Sequence, residues 1–168
     1  MPGAWPRWTV LLPHVLVAAG HAEQAGEQLD QEGMQDLSWL LNQAGLYLQV
    51  QARFTDARAL HERALAIDEV TDGPDHPTVA TDLNNLAQIL RALGQVEAAR
   101  PLQERALAID EAAYGPDHPD VARNLNNLAL ILHDLGQVKE AQALQERALA
   151  IGQARREMPG HGLIGRNG

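Results

Sequence analysis

Seven histidines, a single serine and no cysteine make up the nucleophiles and soft ligands of this 168-residue chain. Without cysteine there are no disulfides, thiolate zinc sites or cysteine nucleophiles. Ser38 lies outside any Gly-x-Ser-x-Gly elbow, and no His-Glu-x-x-His run is present. His76 and His118 sit beside Asp75 and Asp117 in two Gly-Pro-Asp-His-Pro runs 42 residues apart. On neighbouring helix pairs they would stand roughly 10 Å or more apart. Zinc needs its ligands about 2 Å from one point. These histidines therefore read as turn and helix-cap residues. The carboxylates recur along the chain and do not form an obvious acid–base pair, which a hydrolytic or transfer site would require. The expectation is no enzyme, no metal and no cofactor.

The residues best suited to recognition are asparagines. Asn42, Asn84 and Asn126 recur every 42 residues, so stacked units would align them as a ladder. An amide both donates and accepts, so such a ladder could pair with a peptide backbone whatever its sequence. It could equally hold neighbouring helices together. Trp39, Leu46 and Gln49 share a helix face with Asn42. Thr81, Gln88 and Arg91 share it with Asn84, and Arg123, Leu130 and His133 with Asn126. The adjacent Asn85 and Asn127 point nearer the helix interface, where a structural role fits better.

The elements that carry these residues follow from an internal repeat. Glu62-Arg63-Ala64-Leu65-Ala66-Ile67 returns at 104–109 and 146–151, and Leu83-Asn84-Asn85-Leu86-Ala87 returns at 125–129. All of these blocks share the 42-residue period. Each unit reads as two helices. Pro119 suits a first helical position, and Leu125, Leu128, Ala129 and Leu132 then form an apolar stripe. Gly136 ends that helix. Val138, Ala141, Leu144, Ala148 and Ile151 form the stripe of the next. Gly115 and Pro116 stop the equivalent helix of the middle unit after Tyr114. The fold expected is all-α, an α-solenoid of antiparallel helix pairs. Its repeats span 37–77, 78–119 and 120–158. The glycine-rich segment 159–168 is expected to be a mobile tail.

The pattern resembles the tetratricopeptide repeat. Its small first-helix residue corresponds to Gly45, Ala87 and Ala129, and its turn glycine to Gly94 and Gly136, with Ala52 in the first unit. The paired small residues of the second helix correspond to Ala57 and Ala64, Ala99 and Ala106, and Ala141 and Ala148. His61, Gln103 and Gln145 stand where an aromatic is usual, and Leu48, Leu90 and Leu132 replace a tyrosine. The length of the unit and the His-Pro-x-Val-Ala…Leu-Asn-Asn-Leu-Ala run are similar to the long repeats of kinesin light chain and of bacterial tetratricopeptide proteins. The resemblance covers about residues 37–151. It implies a non-enzymatic, cytoplasmic scaffold whose concave face grips a protein or peptide. The residues it would use are Asn42, Asn84, Asn126, Gln88, Arg91, Arg123 and His133.

Residues 1–36 fall outside the repeat and read as a helical linker or cap. Trp5-Pro6-Arg7-Trp8, Leu11-Leu12-Pro13-His14 and Ala22-Glu23 resemble the linker ahead of such repeats in bacterial STAND-type ATPases, where the repeats act as a sensor arm. No phosphate-binding loop of that ATPase is present. The apolar run Trp8–Ala22 is too short to span a bilayer. Pro13-His14 at its centre favours an amphipathic helix over a secretory signal. A formal net charge of -9 repels phosphate backbones. It points away from nucleic acid and towards a neutral or basic peptide. Leu144, Leu149 and Ile151 could leave an apolar edge after the last helix pair, so a homo-oligomer joined through that edge is the alternative expectation.

Overall fold

The computed structural model describes residues 29–157, together with Val10, 13–15, Val17 and Gly20. The expectations for the tail after 158, and for most of the N-terminal linker, lie outside the described residues. Within residues 29–157 six helices follow one another: α1 (Gln31–Val50), α2 (Phe54–Thr71), α3 (Pro77–Ala92), α4 (Val96–Tyr114), α5 (Pro119–Asp134) and α6 (Val138–Glu157). They pair as α1 with α2, α3 with α4 and α5 with α6, and each pair stacks on the next. This is the expected all-α solenoid. The first helix begins at Gln31, six residues before the expected repeat boundary. Asp30 caps it by accepting from the Gly33 amide, which satisfies one of the orphan donors of the first turn.

Local chemistry sets the other boundaries. Proline opens α3 and α5 at their first position, and the side chains of His76 and His118 accept from Thr78 N and Asp120 N. These two histidines are caps. The turns within each helix pair need a left-handed residue. Gly94 and Gly136 supply it at φ 75° and 78°. Ala52 adopts φ 57° at the same place and carries a Cβ penalty that glycine avoids.

Packing follows the repeat. Val79, Leu83, Leu125 and Ile131 are fully or almost fully buried. Each contributes about 1.5–3 kcal/mol by leaving water. Ala57, Ala64, Ala87, Ala99, Ala106 and Ala129 are also fully buried, which lets helix backbones approach closely. Leu65 packs against both clusters of the middle pair, and Leu107 against both clusters of the last. These leucines are the knobs that join one pair to the next. Val15 packs on the cluster of the first pair. Charged links reinforce the stack: Arg105 to Glu69 at 2.6 Å, Arg147 to Glu111 at 2.5 Å and Arg91 to Asp134 at 2.6 Å. All are partly exposed, so each adds little. The first helices also meet one another, α3 against α5, which closes the stack on that side and makes it the inner face.

Candidate ligand-binding cleft

A track of buried polar side chains runs through the helix pairs behind the inner face. At the first junction, His61 Nε2 contacts the Gln49 amide at 3.0 Å and Nδ1 contacts Asn42 Oδ1 at 2.7 Å. The neutral tautomer that donates from Nδ1 and accepts at Nε2 satisfies both. Burial holds the His61 pKa down at about 4, so the ring is neutral at physiological pH. A Cβ on Gly45 would overlap this ring. The glycine and the histidine are therefore one packing unit. Asn42 Nδ2 then donates to Asp82 Oδ1 at 2.7 Å.

Asp82 is fully buried, and its Oδ2 has no donor. The carboxyl lies against that of Asp68, another acceptor, to which it can hydrogen-bond only when Asp82 carries a proton. Burial, followed by the Asp68 contact, pushes the Asp82 pKa up to about 8, against the opposing pull of Asn42. The second junction is built from amides. Gln103 donates to Asn84 Oδ1 and Asn124 Oδ1, both at 3.2 Å, and Asn127 donates to Asn84 Oδ1 at 2.6 Å. Asn124 Nδ2 donates to Asp110 at 2.7 Å. Asn124 thus does with an N–H what Asp82 does with a proton.

Above the first junction lies an open cleft of about 380 Å³ between α1 and α3, with the end of α2 as its floor. Trp39, Leu46, Thr81 and Asn85 line it, and Asp68, Asp72 and Asp82 converge in its wall. Trp39 is 60% exposed. Asp72 accepts from Gln35 Nε2 at 2.8 Å and Thr78 Oγ1 at 3.2 Å. A smaller cavity of about 230 Å³ further along the inner face is lined by Gln49, Gln88, Arg91, Asn127 and Leu130.

The asparagines of the ladder have three different environments. Asn42 is half-buried at the first cleft with both amide atoms bonded. Asn84 is only 4% exposed, and its oxygen takes two bonds from the stack. Asn126 is exposed. Gln88 and Arg91 line the smaller cavity, with Arg91 tied to Asp134. Arg123 and His133 are exposed on α5 and line neither of the two cavities. Arg123 pairs with Asp120 at 3.0 Å. Asn127 bonds within the stack, whereas Asn85 faces the first cleft. Sequence reasoning did not find the convergence of Asp68, Asp72 and Asp82. The signal available was the equivalence of Asp82 with Asn124, a polar residue two positions before the ladder. Among the described residues no cluster of histidine and acidic side chains is arranged to hold a metal ion.

The profile of the tetratricopeptide repeat matches residues 36–112 and 83–154. The chain belongs to the tetratricopeptide repeat family. Solved tetratricopeptide-like structures resemble it over nearly its whole length. BtubC (BKLC) from P. vanneervenii superposes with a TM-score of 0.77 at 23% identity, over 98% of this chain and 63% of that one. A Podosopora anserina protein named for kinesin light chain, with nearly identical TPR-like repeats, gives a TM-score of 0.65 at 28% identity, over 86% of this chain and 70% of that one. A point variant of the same protein gives 0.66 at 26% identity, over 88% and 71%. The chain thus spans about two thirds of the length of these solved relatives. None of the curated proteins compared with it matches. The repeats are thus similar to those of a protein named for kinesin light chain. Tetratricopeptide repeats mediate protein–protein interaction, and their family is typically one of non-enzymatic scaffolds. Among the described residues no helix is long and apolar enough to cross a membrane.

Proposed function

We propose that this chain is a non-enzymatic interaction module that takes a peptide or protein segment along the inner face formed by α1, α3 and α5. The observation that carries this is the open first cleft with an exposed Trp39 at its edge, continued along the face by the smaller cavity around Gln88 and Leu130. The walls are rigid helices tied by buried hydrogen bonds, so the protein side loses little entropy on binding. Asn126, Arg123 and His133 extend the face with exposed polar groups. Asn42 and Asn84 support it from behind. Peptides selected on the full chain by phage display should protect the amides of α1, α3 and α5 in hydrogen exchange. Gln88→Lys with Leu130→Lys should weaken them roughly tenfold or more with unchanged circular dichroism. Protection confined to the second helices would overturn the assignment. The N-terminal run beginning at Trp5-Pro6-Arg7-Trp8 supports a further reading as the sensor arm of a bacterial, cytoplasmic STAND-type signalling protein. The adjacent coding sequence tests that reading: it should encode a nucleotide-binding ATPase.

A second reading has its own observation. Leu149, the counterpart of the knobs Leu65 and Leu107, is 61% exposed. Gln145 and Asn126 are exposed where Gln103 and Asn84 are buried. This edge offers a second copy the same contacts that join successive repeats. Sedimentation that stays monomeric at the highest attainable concentration counts against it.

A further inference from the structure

The first cleft gathers three carboxyl groups. Asp68, Asp72 and Asp82 stand together in its wall, and among the described residues no lysine or arginine lines it. The Oδ2 atom of the fully buried Asp82 has no donor. The imidazole of His76 lies beside this group, with its Nδ1 3.7 Å from Asp72. At the second junction the equivalent carboxyl has a donor within the chain, and the orphaned atom there is a neutral amide oxygen, Gln103 Oε1. There Asn124 takes the place of Asp82, and Arg123 takes the place of Thr81. Asp110, the counterpart of Asp68, accepts from Asn124, and the Arg123 charge draws its pKa down against the burial that raises it. At that junction Arg123, paired with Asp120, acts on Asp110 through its charge, whereas no lysine or arginine among the described residues lines the first cleft, a cavity of about 380 Å³.

We propose that the cleft between α1 and α3 binds an arginine side chain of the partner, its guanidinium meeting Asp68, Asp72 and Asp82 and its stem lying between Trp39 and Leu46. This rests on the inner face being the peptide-binding surface. Arginine fits better than lysine. Its planar fork can serve several carboxylate oxygens at once, and its face stacks on an indole. A chain of net charge -9 also draws a basic segment towards it. The partner side chain would supply the donor that Asp82 Oδ2 lacks, and its positive charge would favour the ionised form of Asp82.

The test titrates the full chain with N-acetyl-arginine amide and with the citrulline analogue, which keeps the shape and removes the charge. The Trp39 indole N–H, assigned with Trp39→Phe, is followed by NMR above pH 8, where Asp82 gives up its proton. Arginine amide should give a saturable shift of Trp39, and citrulline should bind roughly tenfold or more weakly. Asp82→Asn, an amide that the second junction shows can be accommodated, should weaken arginine to a similar degree. Thr81→Arg should fill the site from within and abolish the shift. Equal binding of citrulline, no saturation at Trp39, or indifference to both substitutions overturns the proposal. A peptide that holds to the inner face equally well after its arginines are replaced by citrulline would sink this pocket and leave the wider function standing. Arginine amide saturating Trp39 while no peptide protects the inner face would do the reverse.

Discussion

Replacing Asp82 with asparagine should make this protein more stable at neutral pH and hardly change it in acid. The Asp82 pKa is raised from 3.8 in the unfolded chain to about 8 in the fold. The stability linked to this group is therefore fully present below pH 3.8 and is lost as pH rises through about 8. At pH 7 the folded chain must hold a proton that the unfolded chain releases. At about 1.4 kcal/mol per pH unit, over the interval from 3.8 to 7, that costs about 4–5 kcal/mol as an upper bound. At pH 4.5 the same reasoning leaves about 1 kcal/mol. Asparagine removes the cost and keeps the geometry. Its oxygen can accept from Asn42, and its amide can donate to Asp68 as Asn124 donates to Asp110 at 2.7 Å. Allowing for relaxation of the site, Asp82→Asn should stabilise by about 2–4 kcal/mol at pH 7 and by about 1 kcal/mol or less at pH 4.5. Urea unfolding followed by far-UV circular dichroism at both pH values reads this directly, provided the slope with denaturant is unchanged. A variant no more stable than the parent at pH 7, or equally favoured at both pH values, would refute the assignment of this proton to Asp82.

Three further substitutions probe the scaffold. Ala52→Gly relieves a left-handed backbone at φ 57° and should stabilise by about 1 kcal/mol, read as a raised urea midpoint; a lower midpoint contradicts the strain assignment. Gly45→Ala should destabilise by about 1–3 kcal/mol through overlap with the His61 ring, and His61→Gln, which copies Gln103, should restore most of the loss. His61 also sets an acid limit. Its folded pKa of about 4 lies below the unfolded 6.5, so its stability is present above pH 6.5 and is lost as pH falls towards 4, by about 3 kcal/mol in all. His61→Gln should flatten that limb of the urea-midpoint profile, and an unchanged limb would assign it to another group.

The repeat, the helix pairs and their turns were legible in the residues themselves because each is a local property. Apolar spacing sets the buried stripe, proline opens α3 and α5, and a left-handed position wants glycine at 94 and 136. The family resemblance was legible for the same reason: it is a pattern of residue types at fixed intervals. The ladder of Asn42, Asn84 and Asn126 was legible only as a spacing. Whether each amide faces solvent depends on what packs against its helix: Asn84 is buried, Asn42 half-buried and Asn126 exposed. The cleft was not legible at all. Asp68 and Asp82 lie on different helices with a turn between them, and both look like ordinary surface carboxylates of an acidic chain. Only the packing of α3 onto α2 brings them together, removes them from water and leaves a cavity where the next junction has an arginine. The sequence determined what repeats in this protein. The stack decided where the repeats differ, because burial and neighbouring charge are properties of a packed site and not of a residue type.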